Sequence, residues 1–150
     1  KYTERGVLFV ARGNDSRITG FAAAVPLDEE PGVSEKTRPF LRRTINPWYF
    51  ADLGVQENLR RRFMGKTLTE RLLTEILSDC VVVRTSENNF ISQALFQKSG
   101  FKSMNDVFQE VEQERVDGTT RSDRRIFFTK ISSKILYWKQ RWCDIATSLV

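Results

Sequence analysis

The chain is 150 residues long, 40% hydrophobic and 29% charged, with a formal net charge of +5. That length suits one domain with a real core, and no apolar run approaches a membrane span or a signal peptide, so the expectation is a single soluble, cytoplasmic domain over 1–150. The absence of histidine excludes Ser-His and Cys-His nucleophilic mechanisms and histidine-based metal sites.

Residues 6–12 and 18–25 are apolar runs joined by Gly13-Asn14-Asp15-Ser16, which predicts a hairpin. Residues 26–46 form a connection rich in proline and charge, with a short helix expected near Pro39 to Arg43. A strand over 48–55 runs through a turn into a helix over 65–78. A second strand at 80–84 leads to a helix over 89–98, where Ile91, Ala94 and Leu95 share one side and Gly100 suits a left-handed cap. Residues 106–116 alternate in a strand-like way, Asp117-Gly118-Thr119-Thr120 turns the chain, and 125–131 pairs back. Residues 132–149, with Trp138, Trp142 and Leu149, predict an added amphipathic helix that packs on a sheet edge or, through its aromatics, supports a homodimer. Strands alternating with helices between flanking hairpins give a mixed α/β sheet with a partly parallel centre. Cys80 and Cys143 have no metal-ligand spacing and read as reduced packing residues, and no metal is expected.

The most informative stretch is Tyr49-Phe50-Ala51-Asp52-Leu53-Gly54-Val55 followed by Arg60-Arg61-Arg62-Phe63-Met64-Gly65-Lys66 and a helix in which Leu68, Leu72, Leu73 and Ile76 recur at helical spacing. A turn that opens a helix leaves backbone N–H groups unpaired with the helix dipole behind them, and nearby arginines complete an anion cradle. The pattern resembles the coenzyme A pyrophosphate loop of the GNAT superfamily of N-acyltransferases, Gln/Arg-x-x-Gly-x-Gly/Ala placed about five residues after an apolar strand residue. Here Val55 would be that residue, Arg60 the first motif position and Gly65 the last, with Phe63 where the first glycine belongs. A register from Arg62 through Gly65 to Thr67 keeps a glycine but spoils the helix phase.

A second element follows: Val81-Val82-Val83, then Asn89, then Ala94-Leu95-Phe96-Gln97-Lys98-Ser99-Gly100-Phe101. This is similar to the family's Asn-containing helix, which closes with an aromatic residue and Gly-Phe. The resemblance covers residues 6–131 and implies the GNAT fold from its second strand to its last, without the family's usual opening strand and helices and with an extra C-terminal helix. Lys1 in place of Met agrees with an upstream segment that supplies the opening.

The resemblance further implies acetyl-CoA or another acyl-CoA as cofactor and a small-molecule or protein amine as acceptor. Cofactor contacts would come from Leu53, Val55, Arg60, Arg61, Arg62, Phe63, Met64, Gly65, Lys66, Asn89 and Phe96. The family often has a Tyr general acid where Phe96 stands, and Tyr49 or Ser92 could substitute. Asp52 is the first candidate for the base that takes the amine's proton, with Glu57 second. Three functions stay open: an acetyl-CoA-dependent N-acetyltransferase, a non-catalytic module that docks CoA, an acyl carrier protein or another protein, and a basic interaction domain. Nucleic acid is the weakest partner, because no interleaved basic and aromatic strand motif is present.

Overall fold

The computed structural model describes residues 5–41, 44–76, 78–114 and 116–131. In chain order they form β1 (Val7–Arg12), β2 (Ile18–Pro26), α1 (Pro31–Thr37), β3 (Trp48–Val55), α2 (Met64–Glu75), β4 (Cys80–Ser86), α3 (Phe90–Lys98), β5 (Lys102–Glu114) and β6 (Thr120–Ile131). Single 3-10 turns occupy Leu27–Glu29, Arg38–Phe40 and Glu57–Leu59. One mixed sheet runs in the order β1-β2-β3-β4-β6-β5, and β3 with β4 is its parallel pair.

Several boundaries differ from those read in the sequence. The helix expected near Pro39 to Arg43 lies earlier, at Pro31–Thr37, because Pro31 occupies its first turn, where a missing N–H costs nothing. Pro39 instead sits in the 3-10 turn that follows. Strand β5 starts at Lys102 rather than near 106, with an irregular register between Ser103 and Phe108 and a positive φ of 68° at Asp106. Strand β6 begins at Thr120, lengthened by polar pairs with β5. The helix, homodimer contact and Cys143 expected over 132–149 lie outside the described residues.

Two apolar layers hold the sheet. On one face Leu68 and Leu72 of α2, Ile76 just past its end, and Phe96 of α3 pack on Ala22, Ala24, Phe50, Val81, Val83 and Phe128. On the other, Val33 of α1 joins Val25, Tyr49, Cys80, Val82, Val107 and Phe127. Alanines in the middle of β2 keep that strand thin where both faces are covered, and Leu72, fully buried, contributes about 1.5–3 kcal/mol through its side chain. Helix α3 ends as Gly100 predicts: its φ is 88°, its N–H donates to the Gln97 carbonyl, and the Phe101 N–H donates to Phe96. These two bonds form a Schellman cap, and the Phe101 ring folds back to 5.6 Å from the Phe96 ring.

Candidate active site

The parallel pair forks in the middle of the sheet. Trp48, Tyr49 and Phe50 pair with Val81, Val82 and Val83, and the pairing stops there. Beyond Phe50, β3 keeps its partner β2, but the register slips: Phe50 faces Ala24 while Asp52 faces Ala23, so Ala51 is an extra residue. This bulge reverses the alternation of side chains. Phe50 and Leu53, three positions apart, both lie on the α2 side, whereas Tyr49 and Ala51 lie on the α1 side.

Ladder geometry then fixes which atoms face the fork. The Gln56 N–H donates to the Thr19 carbonyl at 2.9 Å, and antiparallel pairs alternate between bonded and non-bonded. Gly54 with Phe21 is therefore a bonded pair, and the backbone groups of Leu53 and Val55 turn away from β2 into the fork. The Val55 carbonyl receives the Arg60 Nε at 3.1 Å there. A Cβ on Gly54 would run into the Phe21 ring, so a larger residue there must displace that ring.

The loop after β3 leaves further donors open close to this edge. Thr67 makes the first intrahelical bond of α2, to the Phe63 carbonyl, and no side chain caps the helix. The N–H groups of Met64, Gly65 and Lys66 thus carry no backbone partner, and no acidic residue occupies the first turn. Arg60, Arg61 and Arg62 stand exposed beside them. Arg61 and Phe63 both adopt φ of 63°, a left-handed conformation that costs a non-glycine residue about 1–2 kcal/mol. The backbone thus keeps a glycine-type bend although Phe63 occupies it, and the ring turns outward, 80% exposed. Replacing Phe63 by Gly should relieve that strain, less about 0.4–1 kcal/mol of added chain entropy in the unfolded state, for a net gain near ~0.5 kcal/mol. Denaturant unfolding measures this, and a loss of stability would show that the ring is held by packing.

Across the fork stands α3. The Asn89 Oδ1 caps it by accepting the Ser92 N–H at 3.1 Å. The Phe96 ring, placed beside the cofactor in the sequence, is 4% exposed and packs edge-on to Phe50 and Phe101 at 5.6 Å each. Of Ile91, Ala94 and Leu95, expected to share one side, Ile91 and Ala94 are exposed and Leu95 is half-buried, because the helix turns Phe96 into the core. Gly65 looks across at α3: a Cβ on it would lie 3.6 Å from Leu95 and 4.0 Å from Leu53 and Val55.

The opposite face carries the polar groups. Asp52 is exposed there, and Tyr49 is buried. Burial pushes the Tyr49 phenol above the ordinary tyrosine value, and the Arg84 guanidinium beside it works against that shift. Arg84 is a residue that sequence reasoning passed over, although a charge directly after Cys80-Val81-Val82-Val83, in a strand covered on both faces, was the available signal. Two open surface depressions of about 470 and 410 Å³ lie over β5 and β6 and include none of these residues. Among the described residues no group of three or more acidic or cysteine side chains is placed to hold a metal.

The sequence model of the acetyltransferase (GNAT) family matches residues 1–101. The chain belongs to the GNAT acetyltransferase family. Solved structures share the fold of this GNAT protein. The ribosomal-protein-S18-alanine N-acetyltransferase of Escherichia coli is 18% identical with a TM-score of 0.62, over 87% of this chain and 71% of that one. The ribosomal-protein-alanine N-acetyltransferase of Brucella melitensis is 20% identical, with a TM-score of 0.58 over 83% and 68%. Salmonella typhimurium yncA, solved with its cofactor acetyl-CoA, is 16% identical, with a TM-score of 0.58 over 83% and 63%. Among curated proteins none matches the sequence.

The family cofactor is acetyl-CoA, and the residues of this GNAT domain fit it. A polyanion suits the unpaired N–H groups at the α2 start with three arginines alongside. An extended chain with amide groups suits the open β3 edge, and the space at Gly65, bounded by Leu53, Val55 and Leu95, is what a Cβ would fill. No helix of the described residues is long and apolar enough to cross a membrane.

Proposed function

We propose that the protein transfers an acetyl group from acetyl-CoA to a primary amine by direct attack within a ternary complex. The observation that carries this is the closeness of two backbone surfaces with open N–H donors: the uncapped start of α2, where a Cβ on Gly65 would lie 4.0 Å from Leu53 and Val55, and the edge of those two residues that β4 leaves unpaired. Acetyl-CoA, when bound, supplies an activated acyl thioester.

In this reading the N–H groups of Met64, Gly65 and Lys66, with Arg60, Arg61 and Arg62, hold the pyrophosphate. Leu53 and Val55 pair with amides along the fork, and one of their N–H groups can donate to the thioester carbonyl oxygen as charge gathers on it. Asn89, already the cap of α3, keeps its amide nitrogen for the cleft. The β3 bulge brings Asp52 to the α1 face, where an amine entering from that side can lose its proton to the carboxylate. The amine nitrogen bonds to the acyl carbon, the carbon–sulfur bond breaks, and the electron pair leaves with sulfur. Tyr49 stays a neutral phenol and is the candidate to protonate the leaving sulfur; Ser92 is the alternative on the α3 side. Acceptors range from small amines to protein amines of the kind named for the Escherichia coli relative.

One observation favours a second reading. Phe63, directly after the three arginines, and Phe90 and Ile91 at the start of α3 stand exposed, apolar and basic surface suited to docking CoA or an acidic acyl carrier protein without turnover.

Calorimetric titration of acetyl-CoA decides the first step. Saturable binding is expected, and Gly65→Glu should weaken it by about tenfold or more, since the new side chain fills the cleft and its charge opposes the phosphates. No binding to the native protein would overturn the proposal. Binding without thiol release across a panel of amines would leave the docking reading in its place.

A further inference from the structure

We infer that Arg84 anchors a carboxylate on the amine acceptor, so that the substrate is an amino-acid-like amine rather than a plain alkylamine. This rests on the acetyltransferase reading and deepens it.

The position of Arg84 comes first. Phe50↔Val83 is the last pair of the parallel strands, so Arg84 is the first β4 residue past the fork. Side chains alternate along β4. Cys80 and Val82 face the α1 side and Val81 and Val83 the α2 side, which puts Arg84 on the α1 side with Tyr49 and Asp52. It is half-buried, and its strand is central in the sheet.

The partners of Arg84 are the second point. A guanidinium has five N–H donors, and one withdrawn from water ordinarily meets a carboxylate. One Arg84 nitrogen donates to the Gln109 Oε1 at 2.6 Å, and the guanidinium carbon lies 5.9 Å from the centre of the Tyr49 ring. Both partners are neutral. Among the described residues no carboxylate pairs with Arg84. The acid on the neighbouring strand, Asp123, is already held by Arg125 at 2.7 Å and by the Ser86 hydroxyl at 2.6 Å. Glu30 acts on Tyr49 only through space.

A half-buried cation served by an amide and a phenol is thus oriented, with no carboxylate of the described residues in a salt bridge to it. Gln109 fixes the plane of the fork, and α1 passes over that amide with Gly32, where a Cβ would stand 3.6 Å from the Gln109 nitrogen. The missing partner has the shape of a carboxylate, which a planar guanidinium grips with two parallel bonds. An acceptor held this way has its amine beside the fork, on the face that presents Asp52.

N-acetylglycine and N-acetylalanine, with their primary amides as matched probes, test this by NMR titration into the native protein, Arg84→Gln and Gln109→Glu. The Gln109→Glu variant is nearly isosteric, keeps the hydrogen bond and supplies Arg84 with an internal carboxylate, so it blocks the site even if Arg84→Gln unfolds. The native protein is expected to bind the acids about tenfold or more tighter than the amides, and Gln109→Glu to bring the ratio near one. Equal binding of acid and amide, or binding of neither, would overturn the inference. Acetyl-CoA titrated into the same samples separates the two claims. Cofactor binding without an acid preference removes only the Arg84 anchor, whereas an acid preference without cofactor binding keeps the anchor and removes acetyl transfer.

Discussion

Exchanging Asp52 for Asn should lower kcat by about 10²–10⁴ and leave acetyl-CoA affinity unchanged, the range expected when a positioned general base is lost. Asn preserves the size of the side chain and its place after the bulge, and the proposed cofactor contacts are on the other side of β3, at Leu53, Val55 and the α2 start. The two readouts therefore separate a proton acceptor from a structural residue. Turnover followed by thiol release, beside a titration of acetyl-CoA, checks both. Unchanged turnover would remove Asp52 from the mechanism and move attention to Glu57, which lies exposed in the 3-10 turn after β3.

The second large effect is on stability. Phe96→Ala should cost about 3–5 kcal/mol, because the ring is buried and contacts two other rings edge-on. For a domain of this size that lowers the melting temperature by roughly 10 °C or more. Calorimetry or thermal circular dichroism would show it, and a change under 1 kcal/mol would mean that the ring contributes little to the core. The same packing bears on chemistry. The position at which the family often carries an acidic phenol is here a junction between β3 and the end of α3, so protonation of the leaving sulfur must come from elsewhere or go unassisted.

Much of this architecture is written locally in the chain. The strand over 48–55, the start of α2 and the Gly100 cap are each set by a few adjacent residues whose preferences agree, and tertiary contacts have nothing to override. The buried face of α2 follows for the same reason, since Leu68 and Leu72, with Ile76 just past its end, repeat at the helical period. Features that depend on partners were harder to read. Nothing near Ala51 announces an extra residue in the ladder, because a bulge is a relation between two strands and β2 supplies half of it. The outward turn of Ile91 arises because Phe96 fills the space between Phe50 and Phe101, a volume that α3 alone does not encode. Arg84 was visible as a charge at the end of an apolar strand, yet its meaning depends on Gln109, 25 residues later in the chain. The polar arms of β5 and β6 were underestimated because their alternation is masked by charged residues on both faces.

The single extra residue at Ala51 makes β3 two strands in one, counted in different frames. Up to Phe50 the chain keeps step with β4 and belongs to the sheet's interior. After the slip it keeps step only with β2, and no strand pairs with its other edge. On the proposed function, mutations in the first half therefore act on folding and those in the second on ligand contacts, while a one-residue change of length between them would exchange the two faces and carry Asp52 and Leu53 to the sides opposite those the proposal needs.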